Sequence, residues 1–487
     1  MPTAYRVLIE DSLAAAPGLT ADESQAVAAL VREWRLRLPR NQLRDRYYLG
    51  HVPLKDIGVA LPPAIRDKVD PRVGWARKAV TSLADRVRFD GFASDDEAVA
   101  EELRRVVDAN DMRNLMRKAT ICELKHCCAF LTVTSGERGP VVSAYPATAA
   151  SARWDDERKR IRDGLVVVAS EQIDGTDERW PYVVNVFTAD DVITLRRDPR
   201  SREVDWGVER HPHGMGRPLM EPMAYAPTLE RPFGSSRITR TVMSLVDEFQ
   251  RAKAYATLAA AFAASPQKYL LGTDDDPVSD NRWNAYIGSI VTFTMNSEGN
   301  APQFGQLPQP SMQPHADYMR QLAAQFSGET NVPISSLGVV HDQASSAEAL
   351  YAAKEDMVID AANVIDDNRR ALRNVALMAL AVVHGTDFAT EATGGVTVDA
   401  LFANPSRPSV VSQSDAMVKQ ISAIPWLAET DVALEQLGYG AEDIRRMQAS
   451  RRRAEGLSLL GAAAATPRAE GLHNLAAEAV TETVAEA

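Results

Sequence analysis

Cysteine is scarce, with Cys122, Cys127 and Cys128 the only three in 487 residues. Three crowded thiols build no disulfide framework, so a reducing compartment is expected. Long apolar runs are missing too. The best stretches, 254–264 and 375–383, are Ala-rich and fall well short of the roughly 18 residues a membrane span needs. The first residues carry Arg6, Glu10 and Asp11 and no apolar signal core, so no export signal is expected. Positive charge is in deficit: 54 Lys and Arg against 66 Asp and Glu give a net charge of −12. That balance argues against a broad basic face that clamps nucleic acid, though not against a surface past which DNA slides. Among catalytic signatures, the Walker pattern, a G-x-G-x-x-G at a strand-to-helix junction and the G-x-S-x-G elbow are all lacking.

What is present reads as a folded, water-soluble chain of about two to four domains, 45% hydrophobic and 25% charged. Residues 1–128 read as helices. Thr20 and Glu23 form a capping box opening a helix that Pro39 is expected to end. Asp70-Pro71 is expected to cap a helix running to about Val87, Ser94 with Glu97 another, and a further helix is expected over 112–128. After Cys128 the pattern becomes β-rich: a hairpin at 129–134 and 141–145, then strand-like runs at 165–169, 182–187, 192–195 and 219–225. Together they read as a β-rich domain inserted into a helical chain. Beyond Pro232-Phe233-Gly234-Ser235-Ser236, residues 236–264 hold no Pro or Gly and predict a helix of roughly 43 Å, ended by Pro266. A compact acidic segment to Pro310 follows, with one strand-like run at 290–295. Next come a helix over 314–326, a loop of glycine, serine and small apolar residues over 331–344, and a capping box of Ser345 and Glu348. That box opens a very long helix to His384. The tail predicts a strand near 396–402 and helices from about Ser412, over 431–437 and over 442–453. Residues beyond Gly456 are expected to be frayed or disordered.

Candidate chemistry is thin. Cys122 and His126 stand at i,i+4, a workable two-ligand pair, but Cys127 and Cys128 point about 100° apart on a helix and cannot both converge on one ion. Buried small thiols are the plainer reading. His211 and His213 flank Pro212 in what reads as a Pro/Gly loop without a third ligand type. Asp274, Asp275 and Asp276 lack the glycine and distal glutamate of a calcium loop and read as an acidic turn. Arg451, Arg452 and Arg453 are expected at a helix end, facing water and favouring the C-terminal dipole. No catalytic residue, metal or cofactor is expected.

The order of parts is more informative: helical base, β-rich insertion, long helix, small acidic module, return helix, glycine-bearing loop, very long helix. Two long helices joined by a small module imply packing between neighbouring copies. The chain resembles the portal (head-to-tail connector) proteins of tailed double-stranded-DNA phages, of the siphovirus type found in phages of actinobacteria. The resembling stretches are Tyr47-Tyr48-Leu49-Gly50-His51-Val52-Pro53-Leu54, then Gly74-Trp75-Ala76-Arg77-Lys78-Ala79-Val80 through Ser82-Leu83-Ala84-Asp85-Arg86, and Asp90-Gly91-Phe92. Pro266-Gln267-Lys268-Tyr269-Leu270-Leu271-Gly272, Pro333 with Leu337-Gly338, Ser346-Ala347-Glu348-Ala349-Leu350 and Glu355 continue the series. Asp415-Ala416-Met417-Val418-Lys419 adds a weaker match.

The resemblance implies an α+β, mainly helical portal fold with long stem helices, a β-rich wing insertion, a small α/β clip and a helical crown. Residues 1–235 would be wing, 236–266 and 311–330 stem helices, 267–310 clip, and 331–344 a tunnel loop. Residues 345–428 would be the long helix and wing return, and 429–487 crown and acidic tail. It also implies a dodecameric ring at one capsid vertex through which double-stranded DNA passes. Terminase large subunit and then the head–tail adaptor would dock on the clip, around Asp274, Asp275, Asp276, Asp280 and Arg282, with major capsid and scaffolding proteins as further partners and no membrane. Val339, Val340, His341, Asp342 and Gln343 would form the loop tip; relatives often carry Asn-Pro where this chain has Asp342-Gln343. An acidic clip and a loop without Lys or Arg suit weak, sliding contact with DNA. The competing structural reading is a minor capsid protein without a channel. The competing enzymatic reading is a metal-dependent hydrolase using Cys122, His126, His211 and His213, which metal analysis of the purified chain would eliminate.

Overall fold

The computed structural model describes residues 10–54, 71–172, 179–200, 204–264, 268–271, 299, 303–306, 308, 311–338, 347–406, 410–439 and 441–465. They belong to two compact units that divide between Ser406 and Arg407.

The first unit opens with α1 (Ala21–Leu49), whose capping box forms as expected. Thr20 Oγ1 accepts from Glu23 N at 3.3 Å, and Glu23 Oε2 accepts from Thr20 N at 2.7 Å. Pro39 does not end this helix, which runs ten residues further to Leu49 before Gly50 caps it. Its buried stripe continues past the proline through Asn41 and Tyr47, and burial of that face outweighs the roughly 3 kcal/mol an interior proline costs. Next, α2 (Trp75–Ala84) starts later than Asp70-Pro71 implied. Residues 71–74 alternate buried and exposed as an extended segment instead, with Lys253 Nζ donating to the Arg72 carbonyl at 3.1 Å. β1 (Phe89–Ser94) leads to α3 (Glu97–Ala109), capped by Asp96 rather than Ser94 because the strand runs to Ser94. α4 (Met112–His126) completes the helical base.

Eight strands follow: β2 (Cys128–Gly136), β3 (Gly139–Pro146), β4 (Ala150–Asp155), β5 (Arg160–Gln172), β6 (Arg179–Phe187), β7 (Asp191–Arg196), β8 (Gly207–Pro212) and β9 (Met220–Ala224). They form two antiparallel sheets, β3-β2-β9 and β4-β5-β6-β7-β8. The sheets approach so closely that a Cβ on Gly164 would lie 2.1 Å from the Met220 sulfur. Then come α5 (Arg240–Ala264), β10 (Lys268–Leu271), β11 (Gln303–Gln306), α6 (Gln313–Thr330) and α7 (Ala347–His384). A short α8 (Phe388–Thr393) and β12 (Val398–Phe402) close the unit, β12 pairing antiparallel with β1 across some three hundred residues of sequence.

The strands are not a separate inserted domain. Val27, Leu30 and Val31 of α1 share a core with Leu165, Val184, Ile193 and Trp206, and the 372–381 stretch of α7 shares one with Phe130, Leu131 and Met220. One face of each sheet is thus covered by a helix from elsewhere in the chain, which is how an antiparallel sheet buries its apolar side. The second unit contains α9 (Val410–Ala423), α10 (Asp431–Gln436) and α11 (Ala441–Ala465).

Where α4 meets α7, Glu123 is fully buried and accepts from Asn368 Nδ2 at 3.0 Å through both oxygens. Burial pushes its carboxyl up to about 8 from 4.5, despite that bond. The native state therefore binds the proton that the unfolded chain has lost between these values, and stability falls as pH rises through that window. Glu123→Gln is expected to raise stability at pH 8 and leave it nearly unchanged at pH 4.5. Urea midpoints at both values check this, and an equal shift at both would contradict it.

Candidate functional site: the anchors of two inter-helix segments

Two segments between long helices carry every residue that the sequence assigns to docking or to a channel. The first is rooted by β10 and β11, paired antiparallel from Lys268 opposite Gln306 to Leu271 opposite Gln303. That ribbon joins the ends of residues 272–302 at a neck between α5 and α6. α6 buries Leu322, Ala323 and Phe326 and exposes Asp317, Tyr318, Gln321, Gln325 and Glu329. Its one arginine, Arg320, is tied to Asp317 at 2.6 Å.

The second segment, residues 339–346, is rooted at the end of α6 and the start of α7. Asn331 leaves α6 in the left-handed conformation (φ 53°), and its Nδ2 donates to Asp360 Oδ2 at 3.1 Å. A 3-10 turn, Ile334–Leu337, follows and ends at Gly338, φ 78°. Trp75 Nε1 donates to the Leu337 carbonyl at 3.3 Å, while its ring lies 3.9 Å from Phe249 and 5.0 Å from Phe326, centroid to centroid. One indole thus joins α2 to α5, α6 and the entry of the loop.

Arg237, just before α5, is 5% exposed and joins the same elements through charge-assisted bonds. Its Nε donates to the Ala79 carbonyl at 2.9 Å, and Nη1 to Tyr225 Oη at 2.9 Å and Asp360 Oδ2 at 3.1 Å. Nη2 donates to the Thr330 carbonyl. Gly234, three residues earlier, has φ 69° and lies against Tyr225 so closely that a Cβ would meet its carbonyl oxygen at 2.2 Å. The Pro232–Ser236 run is therefore a tight turn that aims Arg237 inward. A second buried link ties α1 to α5: Tyr47 Oη lies 2.9 Å from both carboxylate oxygens of Asp247. Tyr47, Trp75, Ala79, Val80, Leu83 and Leu337 share one core, with Tyr48 packed against it and the Arg77 guanidinium 5.4 Å over the Tyr48 ring.

The thiol and histidine candidates form no such convergence. His126 Nε2 lies 3.0 Å from Asp45 Oδ1, and burial pushes the imidazole below its usual range against the pull of that carboxylate. Lys125 Nζ reaches the same carboxylate at 2.6 Å. Cys127 does not continue the helix but turns out of it at φ 95°, and its sulfur lies 3.9 Å from that of Cys128. The contact with Cys128 pulls the Cys127 thiol down to about 7 against burial, with Arg44 and Arg37 assisting, whereas Cys128 is pushed up. Both line a cleft of about 770 Å³ with Arg37, Arg40 and Arg44. His211 lies in strand β8 rather than in a loop, because 207–212 pairs with 191–196. His213 Nδ1 accepts from Met215 N at 3.2 Å. Among the described residues no group of three ligating side chains comes together.

No protein-family model matches the chain. It is 23% identical over 472 residues to the portal protein of Mycobacterium phage L5, covering 91% of this chain and 92% of that one. To the portal protein of Mycobacterium phage D29 it is 23% identical over 436 residues, covering 85% and 86%. The chain is thus similar to two phage portal proteins along most of their lengths and of its own. Among solved structures it is similar to a chain of the virion of a native gene transfer agent particle (TM-score 0.42, 14% identity, 79% of this chain and 89% of that one). It is also similar to a chain of the neck of that particle computed with C12 symmetry (TM-score 0.40, 11% identity, 77% and 93%).

The sequence-derived portal sites divide accordingly. Asp274, Asp275, Asp276, Asp280 and Arg282, and Val339, Val340, His341, Asp342 and Gln343, lie outside the described residues, as does the strand expected at 290–295. Their anchors are described, and Tyr47, Trp75, Leu337 and the strand Lys268–Leu271 among them carry the portal resemblance. Arg237, Asp247 and Asp360 were not legible as site residues: no motif marks any of them, and only the fold brings each to its carbonyl, phenol or amide partner. Arg451, Arg452 and Arg453 are not at a helix end, since α11 continues to Ala465, so the C-terminal dipole does not account for them.

Proposed function

We propose that twelve copies of this chain close into a ring at one vertex of a phage capsid and enclose the channel through which double-stranded DNA is packaged and ejected. The role is structural rather than catalytic. Residues 267–310 serve as the clip on which the terminase large subunit and then the head–tail adaptor dock, and residues 331–344 form the loop facing the bore. One observation carries the reading, the alignment with two phage portal proteins along most of their lengths and of this chain. The anchoring described above supports it. A loop that meets moving DNA needs fixed ends, and Trp75, Asn331 and Arg237 fix them. The exposed face of α6 adds no unpaired arginine that would slow a sliding duplex.

Deleting Val339–Gln343 tests the assignment of the loop. Heads are expected to assemble with normal portal content but to package less DNA or to lose it afterwards, read as DNA per head by quantitative PCR after nuclease treatment. Full packaging and retention by heads carrying the shortened loop would overturn it.

A further inference from the structure

Cys127 and Cys128 stand where α4 gives way to β2, and the anchoring network uses neither. Cys127 is held at φ 95°, a conformation that costs a non-glycine residue free energy and persists only where the surroundings fix it. Its N–H donates to the Glu123 carbonyl at 2.9 Å, and its carbonyl accepts from Tyr225 N at 3.0 Å. The two sulfurs lie 3.9 Å apart. Both residues line the cleft of about 770 Å³, a volume within the roughly 300–1,000 Å³ of small-molecule sites. Cys127 is half-buried there, whereas Cys128 is 3% exposed. The cleft is electropositive in a chain whose net charge is −12. Of its five arginines, Arg37 pairs with Glu33 at 3.0 Å, and Arg153 Nε with Asp163 Oδ1 at 2.7 Å. Arg40, Arg44 and Arg231 pair with no carboxylate among the described residues, and Glu230 is the remaining acid on the wall. Arg44 Nη1 donates to the His126 carbonyl at 3.0 Å, which keeps its charge beside the Cys127 sulfur, and its Nε is buried without a hydrogen-bond partner.

We infer that Cys127 is an S-thiolation site whose cleft takes small disulfides bearing carboxylates. A reactive cysteine sits partly exposed in electropositive surroundings, and an attacking thiol works best when its pKa lies near ambient pH. The contacts with Cys128, Arg44 and Arg37 bring Cys127 to about 7. Having lost its proton to water, Cys127 Sγ attacks one sulfur of the incoming disulfide. The new S–S bond forms as the old one breaks, and the departing thiolate takes up a proton from water. The incoming disulfide is itself the oxidant, so the step needs no other. Arg40 and Arg231 line the same cleft and supply donors for its carboxylates. Cys128 is a poor group to displace the adduct. Its thiol is buried and pushed up, and adjacent Cα atoms lie about 3.8 Å apart, closer than ordinary disulfides span. The adduct therefore persists, in a cleft that Phe233 and Gly234 of the turn before Arg237 also line.

The test exposes the reduced, native full chain to oxidised glutathione and, separately, to the uncharged bis(2-hydroxyethyl) disulfide. Intact mass is expected to show one glutathionyl group per chain, and peptide mapping to place it on Cys127. Cys122→Ser is expected to be labelled as the wild type is, and Cys127→Ser not at all. Arg40 is exposed, so Arg40→Gln leaves the fold alone while removing one charge from the cleft. It is expected to slow labelling by oxidised glutathione about threefold at low salt and to leave the rate with the uncharged disulfide unchanged. An adduct mapped chiefly to Cys122 would overturn the inference. So would a chain that loses two hydrogens and gains no adduct, which would make the pair a Cys127–Cys128 disulfide instead. Equal effects of Arg40→Gln on the two disulfides would overturn the assignment of carboxylate recognition to the cleft.

Discussion

Replacing Arg237 with alanine is expected to destabilise the first unit by about 3–5 kcal/mol, the range for removing one partner from a buried, hydrogen-bonded charge pair. The loss has two sources. The carbonyls of Ala79 and Thr330 lose their side-chain donor at a buried site, and the Asp360 carboxylate, which also accepts from Asn331, keeps only the amide donor. Arg237→Lys is expected to recover little. A single ammonium cannot span a helix end, a helix interior carbonyl, a phenol and a carboxylate that the planar guanidinium reaches at once. Denaturant midpoints of the three proteins measure the effect, and a midpoint for Arg237→Ala within about 0.5 kcal/mol of wild type would contradict it.

Trp75→Ala is expected to cost a similar amount, about 3–5 kcal/mol, because a buried indole between Phe249 and Phe326 leaves a cavity that two helices cannot close. Trp75→Phe separates the two contributions of this side chain. It keeps most of the aromatic packing and loses only the bond to the Leu337 carbonyl, so its stability cost is expected near 1 kcal/mol. That bond, however, is the one that reaches Leu337 at the entry of the 339–346 segment, beyond the ties at Thr330 and Asn331. Protease cleavage within the loop is therefore expected to accelerate more in Trp75→Phe than its global stability predicts. Cleavage that tracks global stability alone would contradict an anchoring role for the indole.

Much of the secondary structure was legible because it rests on local signals. The Thr20–Glu23 box, the 128–146 hairpin and the long helices around 240–264 and 347–384 follow from capping, alternation and the absence of Pro and Gly. The failures share a cause, which is long-range burial overriding a local signal. Pro39 looked like a terminator, but Tyr47 beyond it is fixed by Asp247 two hundred residues away. Asp70-Pro71 looked like a cap, but Val73 and Trp75 must enter a core built by α5, α6 and α7. The β-rich stretch looked like an insertion because its covering helices are distant in sequence. In the candidate site, Tyr47, Trp75 and Leu337, which carry the resemblance, meet in one core that no local signal marks, while the residues proposed for the clip and the loop tip lie outside the described residues.

The native mass of the protein extracted from assembled heads, with images of the same sample, tests the central claim most directly. Twelve copies of a 53.2 kDa chain give a species of about 640 kDa, and the account predicts that mass together with a ring pierced by a central hole. A homogeneous species of the mass of one chain, with no hole in any view, would contradict it.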